Sequence, residues 1–173
     1  MHEERTDSGS QLKIAVVSGV GKGATLLSSF DDALRHCGVY NYNLIPLSSV
    51  IPPGSEIVDR FEAPDDEFGH RLYVVMAEAR SAEPGKAVAA GIGWYQWHDG
   101  RGVFVEHEMV GDCREGAAES VCTLIGSSLK DLCAGRGIPF DSERVRCRIS
   151  AAETEASPTT ALVLGVYRAH GWS

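Results

Sequence analysis

Between positions 71 and 110 the chain carries three extended, apolar-rich runs in succession, at 71–79, 86–97 and 102–110. The last two are separated only by His98-Asp99-Gly100-Arg101. Asp-Gly in so short a link signals a tight hairpin, because the turn that matches strand twist needs positive φ at its centre. An antiparallel sheet is therefore expected in the middle of the chain, and the flanking segments have to supply whatever covers it.

Upstream, residues 12–17 read as a strand entering a glycine loop, Ser18-Gly-Val-Gly-Lys-Gly23. From Thr25, a suitable N-cap, the residues Leu26, Leu27, Phe30, Ala33, Leu34 and Cys37 recur at helical spacing, and Gly38 stands where a left-handed residue ends a helix. Residues 42–47 form another strand. The Ser48-Ser49-Val50-Ile51-Pro52-Pro53 that follows is expected to leave regular pairing, since proline has no N–H to donate. Downstream, residues 114–134 carry the stripe Ala117, Val121, Leu124, Ile125, Leu129, Leu132 and Cys133 and stop at Gly135-Arg136-Gly137. Strands at 144–150 and 159–167 close the chain. This order predicts an α+β fold, with helices covering the sheet surface, as a single domain over residues 11–173. Residues 1–10 read as a short disordered tail.

Twenty-four acidic residues stand against 16 Lys and Arg, a formal charge of −8, with no basic run. Phosphate backbones would be repelled, so nucleic acid is a poor partner. The longest apolar stretches, such as 87–92, fall far short of the roughly 18 residues of a membrane span. The N-terminus lacks a basic start followed by an apolar stretch, which points to the cytoplasm. Five cysteines, at 37, 113, 122, 133 and 147, show neither a Cys-x-x-Cys pair nor histidine at ligand spacing, so no metal site or disulfide framework is expected. Cys122, Cys133 and Cys147 read as small buried residues.

Four groups of residues invite chemistry. Gly19-Val-Gly-Lys-Gly23 departs from a Walker loop, because Lys22 is followed by glycine, and carries the third glycine of a dinucleotide fingerprint one place early, with Ala24 in its position. A dinucleotide loop stays open as an alternative. Glu106 and Glu108 share one face of a strand, and two close carboxylates raise each other's pKa when buried, which suits one of them to donate a proton. The same pair also fits a solvated strand face. Asp31 and Asp32 read as helix-dipole partners near the start of the first helix. Ser48-Ser49, before a double proline, reads as a turn; strain there would favour attack of the Ser49 hydroxyl on the Ser48 carbonyl, an acyl shift to an ester that scission resolves.

Three stretches, Phe30-Asp31-Asp32-Ala33-Leu34, Gly38-Val39-Tyr40-Asn41-Tyr42-Asn43-Leu44-Ile45 and Leu47-Ser48-Ser49-Val50-Ile51-Pro52-Pro53, together resemble the pyruvoyl-dependent arginine decarboxylases. The resemblance continues in Phe104-Val105-Glu106-His107-Glu108 ahead of Gly111, so it extends over about the first two-thirds of the chain. It implies a four-layer αββα sandwich with largely antiparallel sheets, assembled as a homotrimer with sites between subunits. It also implies self-cleavage between Ser48 and Ser49 into a β chain, residues 1–48, and an α chain, residues 49–173. Ser49 would become a covalent pyruvoyl group whose ketone condenses with the substrate amine and whose neighbouring carbonyl draws the electrons released as carbon dioxide leaves. By the same resemblance Glu106 is the proton donor, Asn43 the catalytic asparagine near the cleavage corner, and Asp31 the carboxylate that holds the guanidinium of arginine, a pairing that favours two parallel hydrogen bonds. The product would be agmatine.

The glycine run, and Tyr40 and Tyr42 in place of smaller pocket residues, depart from the family pattern. They leave open a different amino acid as substrate. An unprocessed, non-catalytic homologue acting as a binding module is the remaining alternative.

Overall fold

A strand buried on both faces fixes the number of layers. In Ala87–Gln96 the alternate residues Val88, Ala90 and Ile92 enter one apolar cluster while Ala87, Ala89 and Tyr95 enter another on the opposite side. The sheet containing it must therefore be covered twice. The structure, a computed structural model, describes residues 11–172, and the tail expected at 1–10 lies outside them. In chain order the elements are β1 (Lys13–Lys22), α1 (Leu26–His36), β2 (Asn43–Pro46), β3 (Val50–Ile51), β4 (Glu56–Val58), β5 (Arg71–Ser81), β6 (Ala87–Gln96), β7 (Gly102–Gly111), α2 (Arg114–Ala134), β8 (Arg146–Glu153) and β9 (Thr159–His170).

The strands form two sheets, of order β2-β5-β9-β1-β4 and β3-β7-β6-β8. Among the described residues only β1–β4 and β2–β5 pair in parallel. One core lies between the sheets, built from Ile14, Val16, Val75, Ala77, Ile92, Phe104 and Val163 among others. A second seats Ala33, Leu34 and Cys37 of α1 on the outer face of the first sheet. A third seats Val121, Ile125 and Leu129 of α2 on the outer face of the second. The result is the expected α+β sandwich of four layers, αββα, with largely antiparallel sheets.

Most element boundaries agree with the sequence pattern. Thr25 caps α1, its Oγ1 accepting from the Ser28 N–H at 3.0 Å, and Gly38 has φ +76°. The 97–101 hairpin is present, with Gly100 at φ +84° donating its N–H to the Trp97 carbonyl at 3.1 Å. Four expectations are corrected. The glycine run is not a loop: β1 continues to Lys22, pairing Gly19 with Leu162 and Gly21 with Thr160 of β9. Its peptide groups are therefore engaged in the strand, not a cradle for phosphate, and the dinucleotide alternative falls. Val50 and Ile51 do pair, as the two-residue strand β3 against Val103 and Gly102. Asp31 and Asp32 lie in the middle of α1, whose first turn has no acidic residue. Cys122 and Cys147 are exposed, because the buried stripe of α2 steps by four from Ala117 through Cys133 and leaves Cys122 beside it, while Cys147 lies on the edge strand β8.

Candidate active site

The chain changes sheets between β2 and β3, and the change takes three residues. On the upstream side the Leu47 N–H donates to the Val74 carbonyl at 2.8 Å, so it is still held by β5 of the first sheet. On the downstream side the Phe104 N–H donates to the Ser49 carbonyl at 2.8 Å, already on β7 of the second. The Ser48–Ser49 peptide lies inside this crossing. Ser49 has φ +68°, the only non-glycine among the described residues in the left-handed region. A side chain there costs about 1 kcal/mol or more, and neighbouring contacts hold it in place.

The Ser49 hydroxyl donates to Oε1 of Glu106. Alternation along β7 turns Phe104, Glu106 and Glu108 towards the first sheet, but only Phe104 is fully buried; Glu106 is half-buried and Glu108 exposed. Burial pushes the Glu106 carboxyl above its ordinary value, although the Ser49 hydroxyl opposes the shift, and the Glu108 charge adds a smaller push in the same upward direction. The expected mutual effect of the two carboxylates is thus present but secondary to desolvation.

Tyr167 of β9 completes the corner. Its hydroxyl donates to the Val50 carbonyl at 2.9 Å, and its ring meets Phe104 edge-on with centroids 6.1 Å apart. Burial and the Glu106 charge both push its phenol upward. Sequence reasoning missed this residue: an aromatic near the end of a strand reads as core until the fold brings it beside a carbonyl 117 positions away.

Asn43 and Asp31 are not joined to Ser49 and Glu106 within one chain. The Asn43 side chain donates to the Gly69 carbonyl at 2.7 Å and its N–H to the His70 carbonyl at 2.8 Å. Asp31 sits on the outer helix α1 with its carboxylate 3.6 Å from the Arg35 guanidinium. Tyr40 and Tyr42 line a separate cavity of about 240 Å³ together with Asp65, Glu67 and Phe68. Tyr42 donates its hydroxyl to Glu67, and Tyr40 lies under Arg35. A larger cavity of about 550 Å³ borders Val50, Ile51, Pro52 and Pro53, but neither Ser49 nor Glu106 lines it.

A strained serine hydrogen-bonded to a raised carboxyl has a nucleophile and a proton acceptor in contact. Comparison with known proteins gives the family of the chain as a whole. A family model described as pyruvoyl-dependent arginine decarboxylase matches residues 13–170. Among similar proteins, the pyruvoyl-dependent arginine decarboxylase of Methanococcoides burtonii is 33% identical over 138 residues, 76% of this chain and 73% of that one. The pyruvoyl-dependent arginine decarboxylase 2 of Archaeoglobus fulgidus is 34% identical over 121 residues, covering 68% and 76%. That of Methanocella arvoryzae is 40% identical over 82 residues, where the match spans about half of each chain, 47% and 49%. The class is therefore that of decarboxylases whose electrophile is a covalently bound pyruvoyl group. Within that class, the chain belongs to the pyruvoyl-dependent arginine decarboxylase family.

Proposed function

We propose that the chain cuts itself between Ser48 and Ser49, turns Ser49 into a pyruvoyl group and decarboxylates L-arginine to agmatine. The observation that carries this reading is the Ser49 hydroxyl donating to Glu106 from the one strained non-glycine residue among those described. In the first step Ser49 Oγ attacks the Ser48 carbonyl carbon while Glu106 takes the hydroxyl proton. The new C–O bond replaces the Ser48–Ser49 amide, whose nitrogen leaves protonated as a free amine. Removal of the Ser49 Cα proton then breaks the Cβ–O bond, releasing the Ser48 carboxylate. Water converts the remaining enamine to a ketone and ammonia. Two anchors on opposite sides of the corner, the Leu47 N–H on Val74 and the Phe104 N–H on Ser49, keep the ends in place throughout.

When formed, the pyruvoyl group supplies a ketone that captures the substrate amine and an adjacent carbonyl that accepts the electrons freed with carbon dioxide. The residues at the corner fit it. The Ser49 carbonyl that becomes this acceptor already receives the Phe104 N–H, a donor placed where negative charge develops. Glu106, with its carboxyl held above the ordinary range, retains a proton more readily than a solvated glutamate and delivers it from Oε1 to the substrate α-carbon. Asn43 positions the substrate near the corner, and Asp31 binds the guanidinium. In one chain both are engaged with other groups, Asn43 with the Gly69 and His70 carbonyls and Asp31 with Arg35, and the reading includes a homotrimer in which neighbouring copies complete each site, working in the cytoplasm.

The test is the intact mass of the denatured wild-type and Ser49→Ala proteins. Wild type should split after Ser48 with a carbonyl-bearing, blocked α fragment, and Ser49→Ala should stay whole and release no carbon dioxide from arginine. Decarboxylation by Ser49→Ala would overturn the reading.

A further inference from the structure

We propose that Tyr167 is a positioning residue for the cleavage corner, holding the Val50 carbonyl so that Ser49 is kept in its reactive conformation. The inference rests on the self-cleavage reading above and adds a residue to it.

The pairing of β3 explains why Val50 needs such a partner. The Phe104 N–H reaches the Ser49 carbonyl, so Val50 and its opposite number Val103 form the pair that does not exchange hydrogen bonds. The Val50 peptide groups therefore face away from β7, at the free edge of the second sheet, since β3 is its end strand. No further strand of that sheet is there to accept them. The Tyr167 hydroxyl comes instead from β9 of the other sheet and donates to the Val50 carbonyl at 2.9 Å. Residue 49 is thereby held by its own carbonyl on β7 and by the next carbonyl on β9.

The phenol is well placed to fix that carbonyl. Its ring is packed edge-on against Phe104, which is fully buried. Tyr167 also shares the Glu106 environment, because the Glu106 charge acts on its phenol. Phe104 thus holds the Ser49 carbonyl through its N–H, and Tyr167, packed on the Phe104 ring, holds the next carbonyl. An edge carbonyl that only needed satisfying could have been left to water, since Val50 itself is exposed.

Tyr167→Phe removes the hydroxyl and keeps the ring, and Tyr167→Leu removes both. The measurement is the fraction of uncut chain against time, by intact mass of denatured protein, with the melting temperature of each variant read in parallel. Tyr167→Phe is expected to cut roughly tenfold more slowly than wild type while melting within a few degrees of it. A purely structural role predicts the reverse pattern, a lowered melting temperature in Tyr167→Leu with Tyr167→Phe cutting at the wild-type rate, and that result would overturn the assignment. As a readout independent of activity, the carbonyl ¹³C resonance of Val50 in the uncut Ser49→Ala chain should move upfield when Tyr167→Phe is added; an unchanged resonance also overturns it. A wild-type chain that never cuts would remove the self-cleavage reading and this assignment together. One that cuts alongside an equally fast Tyr167→Phe removes this assignment alone.

Discussion

Gly21 lies so close beneath α1 that a Cβ on it would come within 2.2 Å of the Ala33 backbone nitrogen and 2.1 Å of the Ser29 carbonyl oxygen. The glycines of β1 thus serve helix packing: they let α1 settle onto the sheet at backbone contact. Lys22 then reaches the same helix through its N–H, which donates to Asp32 Oδ2 at 2.9 Å.

Gly21→Ala is accordingly expected to lose about 3 kcal/mol or more of stability, because both atoms in the way are backbone and can retreat only if the helix moves. Urea denaturation of the purified protein measures it. Gly126→Ala, on α2 where a Cβ meets nothing within 4 Å, is the control and should be neutral or stabilising by up to about 1 kcal/mol. Equal stability of Gly21→Ala and wild type would mean that α1 does not sit where described.

This also marks where sequence reasoning stopped. The stripe of α2 and the Asp99-Gly100 hairpin are local signals, read from neighbours a few positions apart; the hairpin agrees with the structure, and so does the stripe except at Leu124, which is exposed beside the buried line Ala117, Val121, Ile125, Leu129 and Cys133. The glycine run looked like a loop because its reason, the underside of α1, is tertiary. β4 escaped notice because three residues pairing with β1 carry too little periodicity to register. At the site, Ser49 and Glu106 were singled out from sequence, while Tyr167 and the Phe104 N–H depend on how two sheets meet. No residue pattern encodes that meeting.

The thiols provide a second check on the packing. Cys37 and Cys133 are buried, and burial pushes the Cys37 thiol up to about 12. Cys113, Cys122 and Cys147 are exposed. A thiol reagent at neutral pH should therefore modify three cysteines in the native protein and all five in denaturant. Cys147 should be the slowest of the three, since desolvation of its sulfur and the neighbouring Cys122 raise its thiol. Modification of Cys37 at the rate of Cys113 in native protein would contradict the α1 packing.

Asp31 and Asp32 separate a substrate role from a structural one. Asp31 is exposed and its link to Arg35, at 3.6 Å, is a surface ion pair worth little stability. Asp31→Asn should leave melting nearly unchanged while raising KM for arginine by roughly tenfold or more, through loss of a charge-assisted guanidinium contact. Asp32 accepts the Lys22 N–H, so Asp32→Asn should act mainly on stability. Steady-state kinetics on both variants decide. An unchanged KM in Asp31→Asn would place the guanidinium elsewhere, the cavity of Tyr40, Asp65 and Glu67 being the next acidic surface to examine.

Glu106→Gln tests the raised carboxyl in stability and in turnover at once. Burial is the largest cause of its shift, so the folded chain holds the Glu106 proton at pH values where the unfolded chain has released it. Across the window between the ordinary and the raised value the folded state binds more protons, and stability falls as pH rises through it. Above the window the full cost of a half-buried charge is present; below it, none. In the uncut Ser49→Ala background, Glu106→Gln should therefore melt above its parent at neutral pH, and the difference should shrink as pH falls through the raised value and vanish below the ordinary glutamate range, where the carboxyl is protonated in the folded and unfolded chain alike. In the otherwise wild-type chain the amide is no acid, so kcat per cut chain should fall by about a hundredfold or more with KM little changed, and the chain should also cut more slowly for want of a proton acceptor at Ser49. A stability difference that persists at low pH would show that the carboxyl is not raised by burial. Wild-type turnover in Glu106→Gln would move the proton to another donor, and Glu108, on the same face of β7, is the nearest carboxyl along the strand to carry it.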